Sequence, residues 1–159
     1  MAGGCGPSEL QTVATGRPVD IVVVAGGEAP GSFWRELEQG VDRAAARYRA
    51  TVRFTRAGGS AAMARLIDDA VSDKPDGLAV AIPDPGTLEG PVKAAVKAGV
   101  PVISFNSGGD VASDWGVLTH VGQAGYQPYL QGYLPVEFLA QNARIGVHPV
   151  GTVETGPTS

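Results

Sequence analysis

Four stretches combine side chains able to hold a small molecule: GGEAPGSFW (26–34), RAGGS (56–60), IPDPGT (82–87) and NSGGD (106–110). The adjacent pair Phe33-Trp34 is the most distinctive feature. Neighbours on a helix point about 100° apart, so one ring can pack inward while the other walls a cleft. A flat ring stacked on C–H faces, with carboxylates, amides and hydroxyls around it, is the chemistry that holds polyhydroxy ligands. Asp84, Asn106, Ser107 and Asp110 would supply the polar half. The same residues also suit a purely structural use, as an aromatic core pair and as turn formers. Residue types alone favour the structural use.

Other chemistries find less support. GGEAPG has the spacing G-G-x-x-x-G rather than G-x-G-x-x-G, and no Lys-Ser/Thr pair follows to cradle a phosphate. Glu28 and Asp84 could fill two acidic places of a phosphoacceptor signalling site, but no Lys follows the fifth expected strand, where the chain reads HVGQ. There is no G-x-S-x-G elbow for a nucleophilic serine. His120 and His148 stand far in sequence from a Ser or Cys partner, and a single Cys5 supports neither a disulfide framework nor a multi-cysteine metal site. The sequence therefore calls for no catalytic residue, no metal and no cofactor.

The elements that would position these loops alternate regularly. VDIVVVAGG (19–27) is a continuous β-branched run of the kind found in strands buried on both faces. A helix follows with Phe33, Leu37, Val41, Ala44 and Tyr48 at helical spacing, and Ser32 is its expected cap. ATVRFTR (50–56) predicts a second strand. Ser60 heads a second helix with Met63, Leu66, Ile67, Ala70 and Val71 on one stripe. DGLAVAI (76–82) predicts a third strand. The next helix carries Leu88, Val92, Ala95 and Val96, and Gly99 is placed to end it in the left-handed conformation. VPVISF (100–105) and WGVLTHVG (115–122) predict strands four and five. Beyond them 128–146 predicts a helix with Leu130, Leu134 and Phe138 aligned, kinked or started late by Gly132 and Pro135. A last short strand is expected at 151–156. This alternation implies an α/β doubly wound, flavodoxin-like three-layer sandwich with a mainly parallel sheet of five or six strands. Ligands on such sheets bind at the carboxyl ends of the strands, which is where the four stretches fall.

The 159 residues suit one domain. With 16 acidic against 12 basic side chains the net charge is -4, which gives no electrostatic case for nucleic acid or an anionic membrane. No apolar stretch approaches the ~20 residues of a spanning helix. Residues 1–17 are expected to form a disordered tail. Within it AGGCG places Cys5 after small residues, as at the lipidation site of an exported lipoprotein, without the hydrophobic signal that should precede it. As written, the chain would be soluble or cytoplasmic on expression.

Three segments give the residues a common origin. VVVAGGEAPGSFWRELEQGVDRAA, DGLAVAIPDPGTLEGPVKAAVKAGVPVISFNSG and GVLTHVGQ closely resemble the first lobe of type I periplasmic binding proteins, the ribose-binding-like branch that serves sugar ABC transporters. The resemblance implies a non-catalytic sugar-binding lobe. It implies that Phe33 and Trp34 stack on the sugar, that Asn106 and neighbouring Ser107 bind hydroxyls, and that Asp84 faces the ligand. Ser32 stands where the family often carries an Asn, and Gln127, heading the returning segment, joins the expected ligand-binding set.

The resemblance also bears on THVGQAGYQPYLQGYL (119–134), where a strand runs straight into an aromatic, Gln-rich segment. In the family the first crossover to the second lobe follows a segment like HVGQ, and the chain returns far downstream through one like QPYLQGYL. This implies a single lobe over 18–159. Its first segment is 18–123, its junction Ala124-Gly125, and its returning helix and strand 126–159. The second lobe would then be deleted, by engineering or in a natural half-length relative. Weak or no sugar binding is expected of such a lobe, together with an extracytoplasmic parent and an ABC permease as that parent's partner. Self-association is expected through an uncovered cleft face carrying Phe33, Trp34 and Tyr126. Two other readings share the fold: the effector-binding half of a repressor, whose helix-turn-helix is not seen in 1–18, and a flavodoxin-like enzyme or signalling domain.

Overall fold

The computed structural model describes residues 17–27, 31–122 and 128–145. The strands are β1 (Val19–Gly26), β2 (Ala50–Ala57), β3 (Gly77–Ala81), β4 (Val102–Phe105) and β5 (Thr119–Val121). The helices are α1 (Ser32–Tyr48), α2 (Ser60–Ser72), α3 (Pro85–Lys97) and α4 (Pro128–Ile145). The five strands form one sheet in the order β2-β1-β3-β4-β5, and every pairing is parallel. Helices lie on both sides, α1 against α4 and α2 against α3. This is the doubly wound arrangement that the alternation of elements predicts. No helix among the described residues is long and apolar enough to cross a membrane.

The strand interiors follow from their composition. β3 (GLAVA) and β4 (VISF) are buried throughout, and Ile21 to Ala25 of β1 are buried without a break, as strands covered on both faces must be. β2 lies at the edge, and its Thr51 and Arg53 are exposed. Leu37, Val41 and Ala44 of α1, Met63, Ile67 and Ala70 of α2, and Leu88, Val92 and Ala95 of α3 fill the core from the helices. Gly99, at φ +82°, ends α3 in the left-handed conformation as expected.

Several local expectations are corrected. Ser32 and Ser60 are not caps. The capping positions are Gly31 and Gly59, in extended backbone with no side-chain bond, and both serines begin the helix proper. Glycine at this position costs only a few tenths of a kcal/mol relative to a hydrogen-bonding cap. The fifth strand spans three residues rather than 115–122. Ser113–Trp115 form a short 3-10 turn, and Gly116 at φ +77° reverses the chain before β5. Trp115 and Val117 are buried from this turn, so their apolar signal belongs to the core without belonging to a strand.

α4 begins at Pro128, with no late start. Its aligned Leu130, Leu134 and Phe138 face solvent at 37%, 38% and 38% exposure, so the stripe they form is the outer one. The buried face carries Gln131, Gly132, Val136, Leu139 and Ala140. The reason is steric. A Cβ on Gly132 would lie 2.0 Å from the Leu37 carbonyl oxygen, and one on Gly40 would lie 1.9 Å from that of Tyr129. α1 and α4 therefore touch backbone to backbone through two glycines. The tail 1–16, the junction Ala124-Gly125 and the strand expected at 151–156 lie outside the described residues.

Candidate functional site

The carboxyl ends of β1 to β4 open onto one hollow of about 370 Å³. Its floor comes from Gly26 and Gly27 after β1, and from Ala81 and Pro83 at the end of β3. Gly58, Gly59, Ser60 and Met63 close one side, and Asn106 and Ser107 the side beyond β4. Trp34, from the first turn of α1, forms the aromatic wall. Gly27 is required there on two counts. Its φ is +103°, and a Cβ would lie 3.0 Å from Trp34 Cζ2.

The two adjacent aromatics divide their work as helical geometry demands. The rings meet edge to face, with centroids 4.9 Å apart and planes at 89°. Phe33 is half-buried against the core and does not line the hollow, whereas Trp34 does. The Arg56 guanidinium lies 5.5 Å from the centroid of the Trp34 ring.

Asn106 adopts φ +63°, a conformation that asparagine tolerates better than most residues. Its backbone N–H donates to the Val121 carbonyl at 3.0 Å, and its side-chain amide donates to Oε1 of Gln131 at 2.9 Å. Gln131, only 4% exposed, thus ties α4 to the end of β4. The Ser107 carbonyl accepts from the Ile82 N–H at 3.2 Å, locking the β4 loop to the β3 loop.

Asp84 stands outside the hollow. It is the N-cap of α3: one carboxylate oxygen accepts from the Thr87 hydroxyl at 2.6 Å and the other from the Thr87 N–H at 3.4 Å. These bonds, the hydroxyl first, hold its pKa below the usual aspartate value, and a bond from Ser60 on the rim adds to them. Ser32 and Asp110 are exposed and line no part of the hollow. His120 pairs with a serine of the neighbouring strand, a partner its place in the sequence does not suggest. Its Nδ1 is hydrogen-bonded to the fully buried Ser104 hydroxyl at 2.8 Å. Burial lowers its pKa, against a smaller opposing effect of Asp110. Gln127, Glu28, Tyr126, His148 and Cys5 lie outside the described residues.

Sequence reasoning missed Gln131 and Arg56. A lone amide in the apolar run PYLQGYLPV was a signal for the first. Arg56 lay in the stretch RAGGS, but nothing in the sequence assigned it a role or a partner. Among the described residues the hollow is lined by a ring, the apolar side chains of Met63, Ala81 and Pro83, hydroxyls, an amide and glycine backbone, with no ionisable side chain. Such a lining can stack and hydrogen-bond a neutral ligand, and among those residues it offers no acid or base.

A family model for the periplasmic binding protein domain matches residues 21–147. The chain belongs to that family. Among solved structures, a carbohydrate transporter from Acidothermus cellulolyticus 11B in complex with myo-inositol is similar at 36% identity and TM-score 0.63. The match covers 65% of this chain and 36% of that one. The 5-methylthioribose transporter solute-binding protein from Thermotoga lettingae TMO, in complex with 5-methylthioribose, matches at 22% identity and TM-score 0.59, over 67% of this chain and 32% of that one. A LacI transcriptional regulator from Bacteroides fragilis, so described in its structure, matches at 18% identity and TM-score 0.60, over 68% and 38%. The last two likenesses show the fold alone. No curated protein matches. The chain thus has the fold of the sugar-binding periplasmic proteins, and its match spans about a third of the length of those solved structures.

Proposed function

We propose that this chain is a non-catalytic sugar- or polyol-binding lobe from an ABC-transport solute receptor, holding its ligand from one side. The observation that carries this reading is the hollow at the strand ends, walled by Trp34, edged by Asn106 and Ser107, and free of ionisable groups among the described residues. The myo-inositol complex of the 36%-identical transporter supports a cyclic polyol as ligand class. Phe33 acts through Trp34 rather than on the ligand, and Asp84 shapes the rim as the cap of α3. The lobe comprises 18–123 and 126–159 joined at Ala124-Gly125. The short span from β5 at Val121 to α4 at Pro128, within one sheet-and-helix unit, supports an excised second lobe. In the parent, this lobe would work outside the cytoplasm with an ABC permease.

Affinity follows from the arithmetic of half a site. A two-lobed receptor binding near ~1 μM has about -8.2 kcal/mol to distribute, and half of that corresponds to a Kd near ~1 mM. Calorimetry with myo-inositol, ribose and common hexoses should therefore give millimolar or weaker binding, reduced further by Trp34→Ala. Micromolar binding would mean that the site is complete without a second lobe. Binding indifferent to Trp34→Ala would mean that the hollow is not the site. The uncovered cleft also predicts weak self-association, because Phe33 and Trp34 are only half-buried. Sedimentation should show a mass that rises with concentration, and a strict monomer throughout would count against it.

A further inference from the structure

Trp34 stands between two hollows. Its ring walls the one at the strand ends, and it also borders a second of about 370 Å³ on the outer side, with Gly31, Arg35, Glu38 and Arg56. A half-buried indole with space on two sides has more than one staggered position open to it. The N-cap Gly31 closes the indole's turn through its backbone alone, with no side-chain bond. Phe33 touches the ring but rides on the same turn and would move with it. Arg56 does not. It sits near the end of β2, in register with Ala25 of β1, so the sheet fixes its backbone. Its guanidinium lies 5.5 Å from the Trp34 centroid, within the range at which a cation is held by the ring's electron-rich face.

We infer that Arg56 is a positioning residue: it holds the Trp34 ring in the orientation that walls the strand-end hollow and keeps it out of the outer one. Its effect on ligand affinity rests on the proposed sugar reading. Its effect on Trp34 does not.

The test labels the whole chain with 5-fluorotryptophan, whose two fluorine resonances report Trp34 and Trp115; Trp115→Phe assigns them. Trp115 is buried in the short turn before β5, which packs on α3, and serves as the control for folding. In Arg56→Ala the Trp34 resonance should move and narrow as the ring gains freedom, while the Trp115 resonance stays. Arg56→Lys, which keeps a cation, should return most of the shift. Titration with myo-inositol should be weakened about twofold to fivefold in Arg56→Ala, the range a partly exposed cation–ring contact provides. An unmoved Trp34 resonance, equal movement of Trp115, or failure of Lys to restore the shift would overturn the inference. If no polyol perturbs the wild-type Trp34 signal while Arg56→Ala still moves it, the positioning role stands and the sugar reading falls.

Discussion

At Asp84 two roles compete for one carboxylate. Both of its oxygens accept from Thr87, which satisfies the first turn of α3 and leaves little to offer a ligand. The pKa is lowered because these bonds favour the charged form. A depressed folded-state pKa gives stability that is fully present above the unfolded value of ~3.9 and lost as pH falls through the folded one. Asp84→Ala should lower Tm by a few degrees at neutral pH, and the gap to wild type should close below about pH 3.9. Asp84→Asn, which caps comparably, should keep most of the neutral-pH Tm while losing that acid dependence. Thermal melts of the three proteins across pH 2–7 check this, and a gap that persists unchanged at low pH would contradict it. The candidate hollow was legible where residue type and chain position agreed. Trp34, Asn106 and Ser107 announced themselves at strand ends, and they meet in one hollow. Asp84 was ambiguous because a helix cap and a sugar acceptor need the same side chain in the same loop; the structure shows it in the first role. Arg56 was silent because a cation gains its role from whatever ring lies over it, and that ring is on another element.

Among the elements, the seam between α1 and α4 carries the sharpest expectation. The atoms that a new Cβ would meet at Gly40 and Gly132 are backbone carbonyls, which cannot swing aside. Alanine at either position must push the helices apart, costing on the order of 1–3 kcal/mol or more. That outweighs the ~1 kcal/mol gained in helix propensity. Gly90 in α3 is the counter-case. Nothing lies within 4 Å of its would-be Cβ, so Gly90→Ala should stabilise by up to ~1 kcal/mol. Urea unfolding midpoints should move in opposite directions for Gly132→Ala and Gly90→Ala, and a shared direction would show that propensity, not contact, decides. The same seam explains where the element reading held and where it failed. Apolar runs and 3.6-residue periodicity located the first four strands and α1 to α3, because burial on a sheet imposes those periods; α4 was located by a stripe that faces solvent. The buried face of α4 was not readable. Its contact with α1 selects glycine, and apolar pattern counts glycine as a break, so the conspicuous Leu130, Leu134 and Phe138 drew attention to the outer face instead.

For the whole molecule, the question is whether α4 belongs to this lobe or merely follows it. α4 packs along α1 and reaches β1, β3 and β4. Leu139 is fully buried and lies so close to Gly77 that a Cβ there would meet its Cδ2 at 2.7 Å. Gln131 ties it to the loop that frames the hollow. Without α4, one face of β3 and the inner stripe of α1 would be open to water, an exposure no single sheet of this size tolerates well. A chain ending at Gly122 should therefore lose cooperative unfolding, and its circular dichroism should fall by more than the 18 helical residues removed. Adding residues 123–159 as a separate peptide should restore a cooperative transition whose midpoint rises with peptide concentration, because binding to the folded state alone stabilises it by mass action. If the shortened chain melted cooperatively near the wild-type Tm, α4 would be an appendage. The case that two distant segments of a two-lobed receptor were rejoined to rebuild one lobe would then lose its physical basis.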